Sequence, residues 1–356
     1  MRALVTGSNG LIGSNIVRAL VHQGHEVCGL VRPTSDLRGL QGLQVQQIQG
    51  DVLDRDSLET AMAGCDFVFH TAGVFSYWNE DQAHLESVVL EGTRNAVEAA
   101  ARVGVGRFVL TSSSVTCGSS PRPEPRDERD SLRDPDAPPY YLMKDRQERE
   151  ALELAGALDV DLVAVCPAIT VGGPDYRLLP SNALIVNYLN DPFSFTFPGG
   201  CNVVHVEDVA LGHILAAERG VRGERYLLGS ENLTWAEIHR TIAELCGVRG
   251  PTLTATLTAA YLAATAMELA SRWTRKPPAS TRAEAKALGR FYWYRSDSAV
   301  AIGYRPRPSR QALAQAIAWL FESPHVTSSM RARLRLSPEV TGTEPTEWRI
   351  IAGGKG

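Results

Sequence analysis

The chain has 356 residues, 44% hydrophobic and 21% charged, which excludes a disordered chain, a collagen-like repeat and a small disulfide-stapled module. Its 36 Lys and Arg against 40 Asp and Glu give a formal net charge of −4, so no global field recruits nucleic acid and none is expected as a partner. Cys28, Cys65, Cys117, Cys166, Cys201 and Cys246 show neither CxxC nor Cys/His ligand spacing. No metal site is therefore expected, and free thiols with no leader-like segment before the first strand point to the cytoplasm.

In chain order, Arg2–Thr6, Glu26–Arg32, Val45–Ile48, Phe67–Thr71, Phe108–Ser112 and Asp161–Cys166 read as strands. Between them Ile12, Ile16, Leu20 and Val21 recur at helical spacing, with Gly24 where a helix would end, and Val88–Val103 and Tyr140–Leu158 read as long helices. This alternation predicts an α/β fold, a doubly wound parallel sheet over 1–170 with 203–225 returning to it. A smaller, discontinuous C-terminal substrate cap is expected over 171–202 and 226–325, with strands at Asn202–Val206 and Arg225–Leu228 and helices near Val209–Arg219 and Thr234–Cys246. A tail, 326–356, is expected to fray. The mixed-charge run Arg122–Asp136 reads as a solvated loop or, from its place before Tyr140, as a mobile lid. Leu253 to Met267 is the least charged stretch and falls short of the ~20 apolar residues that span a bilayer.

The first strand runs into Gly7-Ser8-Asn9-Gly10-Leu11-Ile12-Gly13 and then an amphipathic helix. Strand, glycine turn and helix in this order form the phosphate-binding unit of a Rossmann sheet, which predicts a dinucleotide at the helix N-terminus. The second strand ends in Arg32, with Ser35 and Arg38 close behind, where an NAD-binding unit would carry an acidic residue. A guanidinium there suits a 2′-phosphate, so NADP(H) is preferred and NAD(H) remains open. Gly50-Asp51-Val52 closes the third strand, where the Asp51 carboxylate either accepts from the adenine amino group or serves its own turn.

Tyr140 and Lys144 stand four residues apart on a predicted helix and share one face. A nearby ammonium is expected to lower the phenol toward the working range, and the Thr111-Ser112-Ser113-Ser114 run after the fifth strand supplies a hydroxyl for a substrate oxygen. The ordered set of Gly7, Gly10 and Gly13, Asp51, Phe67–Ala72, Ser113 and Tyr140/Lys144 resembles the extended short-chain dehydrogenase/reductase superfamily. Within it the chain is most similar to the dihydroflavonol 4-reductase and 3β-hydroxysteroid dehydrogenase-like branch and to hopanoid-associated proteins labelled sugar epimerases. Carrying this likeness are His25 to Arg32, Glu91-Gly92-Thr93-Arg94-Asn95, Pro167 to Pro174 and His205 to Ala210. The resemblance implies a Ser113, Tyr140, Lys144 triad, cofactor contacts from Ala72 and from Pro167, Ile169 and Thr170, and a homodimer through the two long helices. Three positions depart from the family pattern: Val89 replaces a frequent Asn, Cys117 a frequent Tyr, and Met143 a frequent Ser. Losing the Asn removes the side chain that supports a relay in the family.

The triad serves either a reductase or a sugar epimerase/dehydratase. The apolar run Val165 to Val171 favours reducing the carbonyl, or oxidising the alcohol, of a bulky lipophilic small molecule, in a pocket expected to draw on Phe75, Tyr77, Trp78, Val115, Tyr188 and Phe197. A non-catalytic NADP sensor is the remote alternative. His205 and Asp208 read as anchors for the chain returning from the cap. In Arg272 to Arg310 ten Lys/Arg face only Glu284 and Asp297, which reads as a solvated surface or as a peripheral contact with an anionic membrane.

Overall fold

The computed structural model describes residues 1–73, 82–274, 278 and 280–343. The N-terminal half is β1 (Arg2–Thr6), α1 (Leu11–His22), β2 (Glu26–Val31), β3 (Gln46–Gln49), α2 (Arg55–Met62), β4 (Phe67–His70), α3 (Gln82–Glu86), a π turn (Ser87–Glu91), α4 (Gly92–Val103), β5 (Arg107–Thr111), α5 (Pro139–Ala157) and β6 (Leu162–Pro167). There follow β7 (Ile169–Val171), α6 (Pro180–Asn190), β8 (Phe195–Thr196), β9 (Gly200–His205), α7 (Val206–Arg219), β10 (Arg225–Leu228), β11 (Glu231–Thr234) and α8 (Trp235–Cys246). The chain continues through β12 (Leu253–Thr254), α9 (Leu257–Thr274), α10 (Arg282–Ala287), β13 (Phe291–Tyr292), α11 (Asp297–Ala301), α12 (Ser309–Glu322), α13 (Ser328–Arg333) and α14 (Pro338–Thr341).

Seven parallel strands form the main sheet in the order β10-β6-β5-β4-β1-β2-β3. Successive strand residues face opposite sides. Ala3, Val5, Val109 and Val163 pack under α1 and α7, whereas Leu4, Phe108, Leu110 and Leu162 pack under α2, α4 and α5. The expected doubly wound sheet is present, and the reversal of strand order between β1 and β4 opens its crevice at the carboxyl edge. The Arg107 guanidinium ties the layers together, pairing with Asp161 at 2.7 Å and donating to the carbonyls of Ala216, Ala217 and Gly220 at the end of α7.

The return to the main sheet runs farther than 203–225, because Arg225–Leu228 pairs along its whole length with β6. Gly200–His205 belongs instead to a small sheet with β7, β11 and β13. The cap core gathers α6, α8 and α12 around that sheet, and it also takes in Val326, Met330, Leu334 and Val340. The fraying expected from 326 onward is thus corrected for 326–343, since these four apolar side chains are buried.

Arg122–Asp136 is irregular and largely exposed, as the solvated-loop reading expects, and its middle is tied down, which does not fit a mobile lid. Arg126 donates to the Cys117 carbonyl at 2.6 Å, Ser120 and Arg126 bridge to Phe291 and Tyr294, and Arg225 donates to the carbonyls of Glu128 and Asp130. Part of the basic segment is paired: Asp127 of this run binds Arg295, and acids from elsewhere hold two more, with Arg282 on Glu268 and Arg310 on Glu244 and Glu339. The electrostatic case for a membrane patch is weakened accordingly. The large apolar side chains of α9 remain exposed, Leu262 at 63% and Trp273 at 90%, whereas Ala264 is buried. Among the described residues no helix is long and apolar enough to cross a membrane.

The cap is locked to the main sheet by one buried cation. Arg307 lies 2.9 Å from both Asp208 and Glu207 at the start of α7, with all three side chains at most 10% exposed. His205 caps α7 by accepting from the Glu207 N–H, so the anchoring role read for His205 and Asp208 has a physical basis. Replacing Arg307 with Met should cost roughly 3–5 kcal/mol, because two carboxylates lose their buried partner. Chemical denaturation checks this, and a midpoint equal to wild type would contradict it.

Candidate active site

The glycine turn is built for close approach. Gly7 has φ +64°, its carbonyl accepts from the Gly10 N–H at 2.9 Å, and a Cβ on Gly13 would lie 2.3 Å from the Gly7 oxygen. Gly10 caps α1 without a side-chain hydrogen bond, and the first turn of α1, including Leu11 and Ile12, carries no acidic residue. Bare N–H groups at a positive helix end beside a cradle that a Cβ would fill suit a pyrophosphate. The residues present therefore fit a dinucleotide.

At the end of β2 the Arg32 carbonyl and N–H close a turn with Ser35, and the Arg32 side chain is exposed, with no hydrogen bond among the described residues. Arg38 is committed elsewhere: it forks onto Asp36 and lies 4.5 Å over the Tyr176 ring. Hydrogen bonds from Arg38 hold the Asp36 carboxyl down at about 2, so the nearest acid is already neutralised. Asp51 does serve its own turn, Oδ1 accepting from the Leu53 N–H at 3.0 Å, and its second oxygen has no partner among the described residues. Val52 is buried where a Cβ on Gly92 would collide with it, which explains the glycine at the start of α4. Ala72 donates its N–H to Thr6 Oγ1 at 3.3 Å.

Ser113 follows β5 in extended conformation and is hydrogen-bonded to the Tyr140 phenol. The adjacent Tyr141 packs edge-on against Tyr292 at 5.7 Å and meets the Tyr140 ring edge-on at 6.1 Å. Lys144 is 7% exposed and donates to the Thr111 carbonyl at 2.9 Å and to Gln147 Oε1 at 2.5 Å. Burial draws its ammonium down to about 8, against the opposing pull of Glu148 and Cys166. The expected lowering of the phenol is corrected. Burial pushes Tyr140 up to about 12, with only the Ser113 hydrogen bond acting downward, because the Lys144 ammonium is held by Thr111 and Gln147.

Past β6, Ala168 N–H pairs with Leu228, Ile169 enters the small sheet, and Thr170 spends its hydroxyl on the Ala168 carbonyl. Pro167 to Thr170 thus leaves the carboxyl edge of the main sheet with its own polar groups largely satisfied. The expected pocket residues scatter. Tyr188 goes to the cap core, stacked on His239 at 4.5 Å with its hydroxyl donating to Arg249 O, and is corrected as a pocket residue. Phe197 packs edge-on against the same His239. Val115 is half-buried in the turn after Ser113, while Phe75, Tyr77 and Trp78 lie outside the described residues. Sequence reasoning missed Gln147, although its place three residues beyond Lys144 on α5 could have shown it. Ser112, of the same serine run, has a buried hydroxyl with no partner among the described residues.

The model of the NAD dependent epimerase/dehydratase family matches residues 3–229, from β1 through the last strand of the main sheet. The chain belongs to this family. Over 326 residues this family member is 32% identical to a Synechocystis sp. protein that carries the name dihydroflavonol 4-reductase, covering 88% of this chain and 93% of the relative. It is 31% identical over 335 residues to sterol demethylase protein B of Methylococcus capsulatus, covering 90% and 99%. The crystal structure of gox2253, 34% identical, superposes with a TM-score of 0.79 over 89% of this chain and 97% of that one. This is an extended short-chain dehydrogenase/reductase, an NAD(P)-dependent enzyme of the reductase and epimerase type.

Proposed function

We propose that this epimerase/dehydratase-family enzyme is an NADP(H)-dependent reductase of a carbonyl on a bulky, largely apolar small molecule, working through Ser113, Tyr140 and Lys144. The observation that carries this reading is a phenol that is protonated at neutral pH and hydrogen-bonded to Ser113. A bound reduced nicotinamide would supply the hydride. Ser113 holds the substrate oxygen, Tyr140 gives its proton to the oxygen as negative charge develops there, and Lys144 sets the charge beside them. A raised phenol suits that direction, whereas an epimerase must first take a proton from an alcohol. The apolar, self-satisfied Pro167–Thr170 segment supports a lipophilic substrate, as do relatives named for dihydroflavonol and sterol chemistry. Mixing the protein with NADPH and lipophilic ketones against nucleotide sugars tests the proposal. Absorbance should fall with a ketone, and silent isomerisation of a sugar without net oxidation would overturn it.

The open Arg32 guanidinium supports the choice of NADP(H). Arg32→Ala should weaken NADPH binding by roughly 10- to 100-fold, the size of a charge-assisted phosphate contact, and leave NADH nearly unchanged. Fluorescence titration of both cofactors checks this; equal losses would remove the role. A homodimer through the outer faces of α4 and α5 belongs to the same reading.

A further inference from the structure

Where the resembling family carries an Asn, this chain has Val89, whose side chain packs with Met143 and Tyr140. An amide nevertheless stands at the site. Gln147 is 2% exposed, its Oε1 accepts from the Lys144 ammonium at 2.5 Å, and its Nε2 donates to Thr93 Oγ1 at 2.7 Å and faces the Val89 carbonyl at 3.4 Å. The ammonium can only donate and the carbonyl can only accept, so the amide has one workable orientation.

The network behind it closes without a spare donor. The Thr93 hydroxyl donates to the Val89 carbonyl at 2.6 Å, which leaves its lone pairs for Gln147 and for His70 Nε2 at 3.2 Å. His70 therefore carries its proton on Nε2, and its Nδ1 accepts from Thr6 Oγ1 at 3.0 Å. Thr6 Oγ1 in turn accepts from the Ala72 N–H. One chain of hydrogen bonds thus runs from the ammonium through α4 and β4 to the end of β1 and the loop beside the glycine turn. Thr6, His70, Thr93 and Gln147 are each at most 2% exposed, so water offers no substitute partner. The π turn at Ser87–Glu91, where Gly92 N–H reaches Ser87 O, lies where Val89 meets these donors.

We propose that Gln147 is a positioning residue for the reaction: its amide holds the Lys144 ammonium against α4. The inference rests on the Ser113–Tyr140–Lys144 reading. Two of the three ammonium N–H groups are taken by Thr111 O and Gln147 Oε1, so the direction of the third follows from the amide. The ionisable groups around Lys144 are Tyr140 and Glu148 on α5, His70 on β4 and Cys166 on β6; Arg225 of β10 bears on it through Glu148, and His213 of α7 through Thr111. None of these changes in a Gln147 variant.

Lysine occurs at four positions only, 144, 276, 286 and 355, so NMR of protein labelled with 13C at lysine Cε follows Lys144 directly in the absence of substrate. In Gln147→Met the Lys144 signal should titrate roughly one unit or more lower than in wild type, the loss of a hydrogen bond to a charged group. In Gln147→Glu, which keeps length and an acceptor while adding negative charge, it should titrate higher. The alkaline limb of turnover should move with the signal in each variant. Shifts in the same direction for both variants, or no shift in either, would overturn the inference. A protein that reduces no carbonyl yet shows opposite shifts loses the proposed function while keeping the Gln147–Lys144 coupling. One that turns over with Lys144 unmoved loses only this inference.

Discussion

Tyr140→Phe should reduce turnover by roughly 10²- to 10⁴-fold, the usual contribution of a placed general acid, while NADPH binds as in wild type. The phenol is the one proton source hydrogen-bonded to Ser113 among the described residues, and phenylalanine keeps its ring and its packing against Val89 and Met143. Losing the hydroxyl removes the proton donor without opening a cavity. Stopped-flow absorbance with a ketone substrate reads the chemical step, and fluorescence titration reads cofactor binding. Turnover within threefold of wild type would reject Tyr140 as the acid. A parallel loss of cofactor affinity would show that the ring, rather than its proton, is what matters.

Acid should unfold this protein well before its carboxylates titrate. Burial pushes His213 and His239 down to about 4, and His70, which also faces the Lys144 ammonium, to about 3. Each is neutral in the folded protein, whereas in the unfolded chain each takes up a proton as pH falls through about 6.5. The unfolded state then binds more protons, so stability is complete above pH 6.5 and declines below it. Each histidine contributes a loss of about 1.4 kcal/mol per pH unit. By pH 5 the three together remove roughly 6 kcal/mol, comparable with the whole stability of an ordinary domain. The Asp36 carboxyl, held at about 2 by Arg38, acts in a lower window and cannot produce this effect. Thermal melts from pH 7 to pH 5 check it: the midpoint should fall by roughly 10 °C or more, and a flat profile would show that these histidines protonate without unfolding.

The legible parts of this molecule are those whose signal is local. The turn from Gly7 to Gly13 is read from three glycines within seven residues, and the closeness it demands is visible in the contact a Cβ on Gly13 would make. Arg2–Thr6 and Arg225–Leu228 were expected with the bounds they have, because short apolar runs between breakers leave little freedom. The strand Arg225–Leu228 was nonetheless placed with the cap, since pairing with β6 is a long-range event that leaves no mark in its own four residues. Tyr188 misled for a related reason. An aromatic near a site reads alike whether it lines a pocket or fills a core, and only its stacking on His239 decides. Met330 and Val340 looked like tail residues because isolated apolar residues in a charged stretch show no periodicity, although α12 offers them a surface.

Amino-acid order alone determined the alternation of strands and helices, the glycine turn, and the pairing of Tyr140 with Lys144 on one helical face. Each of these depends on neighbours within one or two turns of chain. Folding in three dimensions decided the electrostatics. Lys144 meets Thr111 from 33 residues away, Arg307 meets Asp208 from 99, and Arg282, Arg295 and Arg310 find acids that a reading of their own segment could not supply. A charge's partner and its distance from water depend on what the fold brings beside it, and for that reason the acidity of Tyr140 and the hold of Gln147 on Lys144 become visible only in the packed molecule.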